Sequence, residues 1–126
     1  MSNKNNDISE NSEIDNEHGN SLKSKKKQHI YEIRDKEEKN GNYKYGVSGD
    51  NLNKNGTSKR ANKQVNKANK KSGWQRFWAI ILRKNVPNRK EALDVEKKLV
   101  NEFAAINNGR LPKGMKKPKP EKSEDK

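Results

Sequence analysis

The chain has no cysteine, few histidines and no long apolar run, and each absence excludes a class of protein. Without cysteine there is no disulfide framework, no thiolate nucleophile and no thiolate metal site. His18 and His29 are the two histidines and lie far apart, which argues against a zinc site built on a histidine pair. No segment approaches the roughly 18 apolar residues that span a bilayer, and we find no signal peptide. We therefore expect a soluble protein with no membrane partner and no small-molecule cofactor.

Acidic residues are outnumbered by basic ones. Only 26% of the 126 residues are hydrophobic and 37% are charged, so the core must be small and confined to one domain. The net charge is +13, and residues 1–22 are acidic, so the excess of positive charge lies in the remainder. Such a basic field favours a polyanionic partner, because each neutralised phosphate releases condensed counterions. Nucleic acid is the expected partner. The alternatives are an acidic lipid or protein as partner, or a positive charge that serves only to keep the protein in solution.

Composition divides the chain into three parts. Residues 1–27 are polar, aperiodic and free of aromatic residues, first acidic and then basic, and predict a disordered leader. Residues 115–126 are rich in lysine and proline and predict a disordered tail. The folded domain is expected at 28–114.

Within that domain the pattern of residues predicts the element order β-β-α-β-α. Two strands, "HIYEIRD" and "YKYGVSG", flank the turn signal Asn40-Gly41 and predict a β-hairpin with Tyr43, Tyr45 and Val47 on one face. Ser58 is expected to cap the helix "KRANKQVNKANKK", whose apolar stripe is Ala61, Val65 and Ala68.

The third strand and the second helix follow. "WQRFWAIILRK" is apolar on both faces, which predicts a central strand covered on each side, with Trp74 and Trp78 in the core. A last helix is expected to begin after Asn88 and to close near Gly109. The fold class predicted is α+β, a small antiparallel three-stranded sheet flanked by helices.

One charged residue of the last helix interrupts its apolar side. With about 100° per residue and Ala92 taken as the origin, Leu99, Phe103 and Ile106 lie within about 40° of it, and Glu96 falls inside the same arc at about +40°. A carboxylate that faces the core must be paired with a cation, protonated or part of a functional site, because burying an unpaired charge costs several kcal/mol. Glu96 is therefore either paired with one of the many lysines at a packing gap or part of a site.

Several motifs in order resemble the GIY-YIG nuclease superfamily. "HIYEI" stands where the family has its first signature, so Tyr31 matches the first tyrosine, and "YKYGVSG" stands at the second signature. Arg60, early in the next helix, matches the family's arginine, and Glu96 in "ALDVEKKLV" matches its metal-binding glutamate. The wording "SKRANKQVN" and "NNGRLPKGMKKP" is also similar to the C-terminal nuclease domains of bacterial polymorphic toxins.

The chain departs from that pattern at several positions. His29 replaces the first signature glycine, Lys44 occupies the place of the second signature tyrosine, and Gln64 stands where many members have histidine. The loop between Ser48 and Arg60 is longer than usual. For a late asparagine of the family the only candidates are Asn107 and Asn108.

The resemblance implies a metal-dependent endonuclease, with DNA favoured over RNA as substrate. Glu96 would hold Mg²⁺ or another divalent cation, Arg60 would bind the scissile phosphate as a fork-shaped donor, and Gln64 would contact phosphate or water. Tyr31 or Lys44 would be the general base, a choice that the sequence leaves open. A surface for the nucleic-acid backbone is expected from exposed lysines of the first helix: Lys59, Lys63, Lys67, Lys70 and Lys71.

The same resemblance implies a secreted or delivered effector that acts in the target-cell cytoplasm and is neutralised by an acidic immunity protein. Two rival functions remain open at this point. The first is a non-catalytic nucleic-acid-binding module, in which Glu96 is merely paired. The second is a basic ribosome-associated or structural protein.

Overall fold

The computed structural model describes residues 25–115, and its elements follow the predicted order. They are strand β1 (Gln28–Asp35), strand β2 (Asn42–Ser48), helix α1 (Lys59–Ser72), strand β3 (Phe77–Val86) and helix α2 (Arg89–Ile106). The three strands form one antiparallel sheet in the order β2-β1-β3, which confirms the predicted α+β class. The predicted leader (1–27) and tail (115–126) lie outside the described residues, apart from residues 25–27 and 115.

The hairpin β1–β2 forms as predicted, with one change of face. Gly41 takes a φ of +81°, which glycine adopts without strain, and the Asp35 backbone N–H donates to its carbonyl at 2.9 Å. The pairing shifts by one residue between Ile33 and Arg34, so Tyr43 is the extra residue of a bulge. Tyr43 therefore packs beside Phe77, ring centroids 4.8 Å apart, and not on the face of Tyr45 and Val47; that prediction was wrong.

The sheet lies between the two helices, and each face has its own apolar cluster. On one face the cluster is formed by β1, β3 and α1, with Tyr31, Ile33, Ala61 and Phe77 buried. Val65 and Ala68 complete the apolar stripe predicted for α1. The opposite cluster joins the sheet to α2 and consists of Ile30, Val47, Val86 and Ala92, with Leu93, Val95 and Leu99 packed against it. Burial on both sides makes β1 the central strand.

Helix α1 is fixed at both ends by side-chain hydrogen bonds. Ser58 is its N-cap, and the Ser58 hydroxyl oxygen accepts from the backbone N–H of Ala61 at 3.1 Å, as predicted. The same oxygen lies 2.8 Å from His29 Nε2, which links the cap to the central strand. At the other end Asn69 exchanges two hydrogen bonds with the backbone of Phe77, of 2.7 and 3.0 Å. The register of α1 against the sheet is thereby set.

Strand β3 is an edge strand, not the covered central strand that its two apolar faces predicted. Phe77, Ala79 and Ile81 face α1, whereas Trp78 and Ile80 on the other face are 40% and 39% exposed; Leu82, the extra residue of a bulge, is 37% exposed. Trp74 and Trp78 were predicted to lie in the core, and both are exposed, Trp74 at 46%. Ile106, assigned to the apolar arc of the last helix, is 84% exposed at its final residue. Helix α2 therefore leaves the β3 side of that face of the sheet uncovered.

An ion pair ties the hairpin to the start of β3. The guanidinium of Arg76 donates to both carboxylate oxygens of Asp35, at 2.7 and 2.9 Å, and the Asp35 side chain is fully buried. Within residues 25–115, neither helix has the length and apolar content to cross a membrane.

Candidate functional site

A cleft of about 320 Å³ opens at the β2 edge of the sheet and gathers all five residues expected to carry chemistry. Tyr31 comes from the central strand, Lys44 from the edge strand, Arg60 and Gln64 from α1, and Glu96 from α2. The full lining is Tyr31, Lys44, Tyr45, Gly46, Val47, Arg60, Gln64, Arg89, Glu96, Gly114 and Met115. Residues that span 85 positions of the sequence are thus brought together by four different elements and the segment after α2.

Tyr31 is held at the floor of the cleft by the glycine opposite it. It pairs with Gly46 across the β1–β2 ladder, and its ring lies over that glycine. A Cβ built on Gly46 would be 2.6 Å from Tyr31 Cε1 and would overlap the phenol Cζ and Oη. Only glycine leaves room for the ring. Burial raises the pKa of the Tyr31 phenol, against the opposing effects of Arg60 and Gln64, and the charge of Glu96 adds to the rise.

Lys44 lies on the same face of the sheet as Tyr31. It pairs with Ile33, which is two residues after Tyr31 on β1, and residues two apart on a strand share a face. Its side chain is half-buried. Burial lowers the pKa of the Lys44 ammonium, the neighbouring charge of Arg60 lowers it further, and Glu96 opposes both. Lys44 therefore loses its proton more readily than a lysine in water.

Arg60 and Gln64 project from the first two turns of α1. Arg60 is exposed, while the Oε1 atom of Gln64 is buried and has no hydrogen-bond partner within residues 25–115. The first turn of α1 holds two cations, Lys59 and Arg60, and no acidic residue. Cations at a helix N-terminus oppose the helix dipole by about 0.3–1 kcal/mol each, so this end of α1 is built to meet an anion.

Glu96 enters the cleft from the helix on the opposite face of the sheet. It is half-buried and, within residues 25–115, makes no hydrogen bond and no ion pair shorter than 4.0 Å. Burial raises the pKa of its carboxyl, and the charges of Arg89 and Lys44 act in the opposite direction. The simple alternative for Glu96, a lysine pair at a packing gap, is therefore not what the described structure contains.

Arg89 is a residue of the cleft that we did not single out from the sequence. Its Nη1 has two long contacts of 3.5 Å, to Gln28 Oε1 and to the Val47 carbonyl, and its buried Nε has no partner within residues 25–115. Burial lowers the pKa of the Arg89 guanidinium, and Glu96 opposes the shift. The helical wheel held the signal: seven residues before Glu96, Arg89 falls at about +60°, beside it.

Other candidates lie elsewhere. Asn107 ends α2, where its side chain donates to the Phe103 carbonyl at 2.7 Å and accepts from Asn40, and neither it nor Asn108 lines the cleft. The predicted backbone-binding lysines are all exposed along α1, and none of them lines the cleft: Lys59, Lys63, Lys67, Lys70 and Lys71.

The metal-ligating side chains near the cleft are few. Within residues 25–115 there is no group of three or more His, Cys, Asp or Glu side chains, so a closed protein cage for a metal is absent there. A single unpaired carboxylate, Glu96, suits a hard cation that keeps most of its coordination for water and phosphate, as Mg²⁺ does. The chemistry of the site is thus one carboxylate opposite a lysine and two arginines.

The sequence of the chain was also compared with known protein families and proteins. A family model described as URI fold toxin 2 matches residues 21–108, a range that includes all five elements. No curated protein and no solved structure matched the chain.

Proposed function

The chain belongs to the URI fold toxin 2 family, and on that premise we propose that this toxin domain is a metal-dependent endonuclease of the GIY-YIG type. It would hydrolyse phosphodiester bonds in nucleic acid, with DNA favoured. One observation carries this function: Tyr31, Lys44, Arg60 and Glu96, predicted from motif order, converge on one cleft from four separate elements.

The substrate phosphate would be bound by the cationic side of the cleft. Arg60 presents a planar, two-pronged donor that matches two phosphate oxygens, and Arg89, whose buried Nε–H has no partner among residues 25–115, lines the same cleft. The N-terminus of α1 adds its backbone N–H groups and positive dipole end. Lysines along α1 would hold the flanking backbone without reading sequence.

We assign the general base to Lys44. A base at neutral pH must lose its proton readily, and the pKa of Lys44 is lowered whereas that of Tyr31 is raised. Water attacks phosphorus as Lys44 takes its proton, and the P–O bond to the leaving oxygen breaks. The products are a phosphate monoester end and a free hydroxyl, which takes its proton from solvent. The Tyr31 hydroxyl orients the attacking water.

Glu96 would hold the divalent cation. When bound, such an ion supplies positive charge to the phosphate oxygens and to the leaving oxygen. The half-buried carboxylate, without a partner among the described residues, is the donor on which this assignment rests.

As a toxin domain, the protein would be delivered into the cytoplasm of a target cell. An acidic immunity protein that covers the cationic cleft would neutralise it in the producing cell, and opposite charges would speed their association.

The direct test is incubation of the purified protein with supercoiled plasmid, single-stranded DNA and tRNA, in Mg²⁺ or in EDTA. We expect metal-dependent cleavage with plasmid preferred. All three substrates intact in Mg²⁺ would contradict the proposal.

A second candidate function is a non-catalytic nucleic-acid-binding module, which the exposed lysine row of α1 favours. Binding that falls steeply with salt is expected of both functions, so binding alone does not separate them. Glu96→Gln does. In the nuclease this variant loses cleavage and keeps binding, whereas in the binding module it has no cleavage to lose.

A further inference from the structure

The outer edge of β3 is a long strand edge that is open within the described part of the chain. β3 runs for 10 residues and pairs with β1 on one side only, since the sheet order is β2-β1-β3. Its other side has no strand partner among residues 25–115. Its pairing with β1 is regular from Phe77 to Ile81, so this stretch of the open edge presents backbone N–H and C=O groups in the spacing that an added strand requires.

One face of the same strand is apolar and uncovered. Trp78 and Ile80 alternate along it, with 40% and 39% of their surfaces exposed; Leu82, the extra residue of a bulge between the Tyr31–Ile81 and Ile30–Arg83 pairs, follows them and is 37% exposed. Trp78 and Ile80 lie on the α2 face of the sheet, because Trp78 pairs with Arg34 and Ile80 with Glu32, but they are not part of the α2 cluster. An apolar row beside an open edge offers a second strand both backbone bonds and side-chain burial.

The rim of this row is cationic. Arg83 and Lys84 continue the strand and are exposed, and the Arg34 guanidinium lies 5.9 Å from the centre of the Trp78 ring. Glu32 is the acidic residue opposite Ile80, yet it is buried and accepts from Arg34 and Asn42, at 2.9 and 2.7 Å. The charge presented to a partner is therefore positive, and a partner strand of negative charge complements it.

We propose that the β3 edge is a docking surface for an acidic protein segment, which adds to the sheet as a fourth strand beside β3. Two aliphatic residues next to Trp78 favour a peptide over nucleic acid, since bases stack on aromatic rings and not on Ile80 or Leu82. A second copy of the chain is disfavoured by its net charge of +13. The surface lies at the sheet edge opposite the cleft, so the docked segment leaves the cleft open.

The test titrates a peptide of about ten alternating valine and glutamate residues into the isotope-labelled full-length protein, followed by amide chemical shifts. We expect shifts concentrated in residues 77–86 and affinity at least about tenfold above that of a matched valine–lysine peptide. Methylating alternate backbone nitrogens of the acidic peptide should abolish the shifts, because it removes the donors that face β3.

Variants locate the surface. Ile80→Ser and Leu82→Ser should each weaken binding several-fold, whereas Ile106→Ser, the same kind of change at an 84%-exposed site on α2, should not. The proposal is overturned if β3 amides do not move, if the lysine peptide binds equally well, or if oligothymidine moves the same amides as strongly. A concentration-dependent dimer formed through β3 would also overturn it. None of these readouts requires nuclease activity, so the result stands apart from the function proposed above.

Discussion

Gly46 is the position where a single methyl group should disrupt the cleft. In Gly46→Ala the new Cβ would overlap the Tyr31 ring, whose Cε1 lies 2.6 Å from the built position. Tyr31 is 1% exposed and packs in the cluster with Ile33, Ala61 and Phe77, so the ring has no free space to enter. The ring or the strand must move.

The size of the effect follows from that geometry. Overpacking of a core costs about 1–3 kcal/mol, so we expect a loss of that size in the free energy of unfolding. In a domain of this length each kcal/mol lowers the melting temperature by about 4–8 °C. A shift of the Tyr31 hydroxyl by about 1 Å should reduce cleavage about 100-fold, more than the loss of folded protein explains.

Urea unfolding and plasmid cleavage measure the two losses, and two further variants separate them. Gly73→Ala introduces a side chain at a φ of +81° with nothing within 4 Å, so it should cost stability while cleavage per folded molecule stays unchanged. Combining Gly46→Ala with Tyr31→Leu should be milder in stability than the sum of the single changes, by at least about 1 kcal/mol. Strict additivity, or full cleavage by Gly46→Ala, would refute the reasoning.

Three other predictions address stability and pH. Ser58→Ala removes the N-cap of α1 and the partner of His29, so urea unfolding should show a loss of about 1–2 kcal/mol. Burial alone would raise the pKa of Asp35, but hydrogen bonding and charge from Arg76 hold that pKa below its usual range. The stability that this pair contributes is therefore present above the pKa of Asp35 in the unfolded chain, and it is lost as pH falls through the lower pKa of the folded protein. Asp35→Asn should therefore melt lower at pH 7 and show a flatter acid limb in thermal scans. If Lys44 is the base, the initial cleavage rate should rise with pH until the lowered pKa of Lys44 is passed, and Lys44→Arg should show no such rise.

Much of the fold was predictable because its signals are local. The turn at Asn40-Gly41, the caps at Ser58 and Asn88 and the periods of the helices are set by neighbouring residues, and the structure confirms each. The misassigned features depend on tertiary arrangement. A strand with apolar residues on both faces can lie at the covered centre of a sheet or at its edge. Strand β3 lies at the edge, and Trp78 on it is exposed.

The site was predictable to a similar extent, but from the order of motifs along the chain and not from local signals. Tyr31, Lys44, Arg60, Gln64 and Glu96 came from motif order and do line one cleft, although their roles rest on the proposed function. Arg89 was missed because charged residues at a helix start are common and only its angle beside Glu96 marks it. The bulge that turns Tyr43 to the other face has no sequence signature, since one extra residue in a strand leaves the alternation outwardly intact.

The most direct test of the central claim compares Glu96→Gln with the unchanged protein in Mg²⁺, reading plasmid cleavage and plasmid binding together. We expect cleavage to fall at least about 100-fold, as for loss of several kcal/mol of charge stabilisation, with binding kept. The fold should be equally or more stable, because the raised pKa of Glu96 means that its ionised form is disfavoured in the folded state. Undiminished metal-dependent cleavage by Glu96→Gln would contradict the account, because the cation would then be held elsewhere.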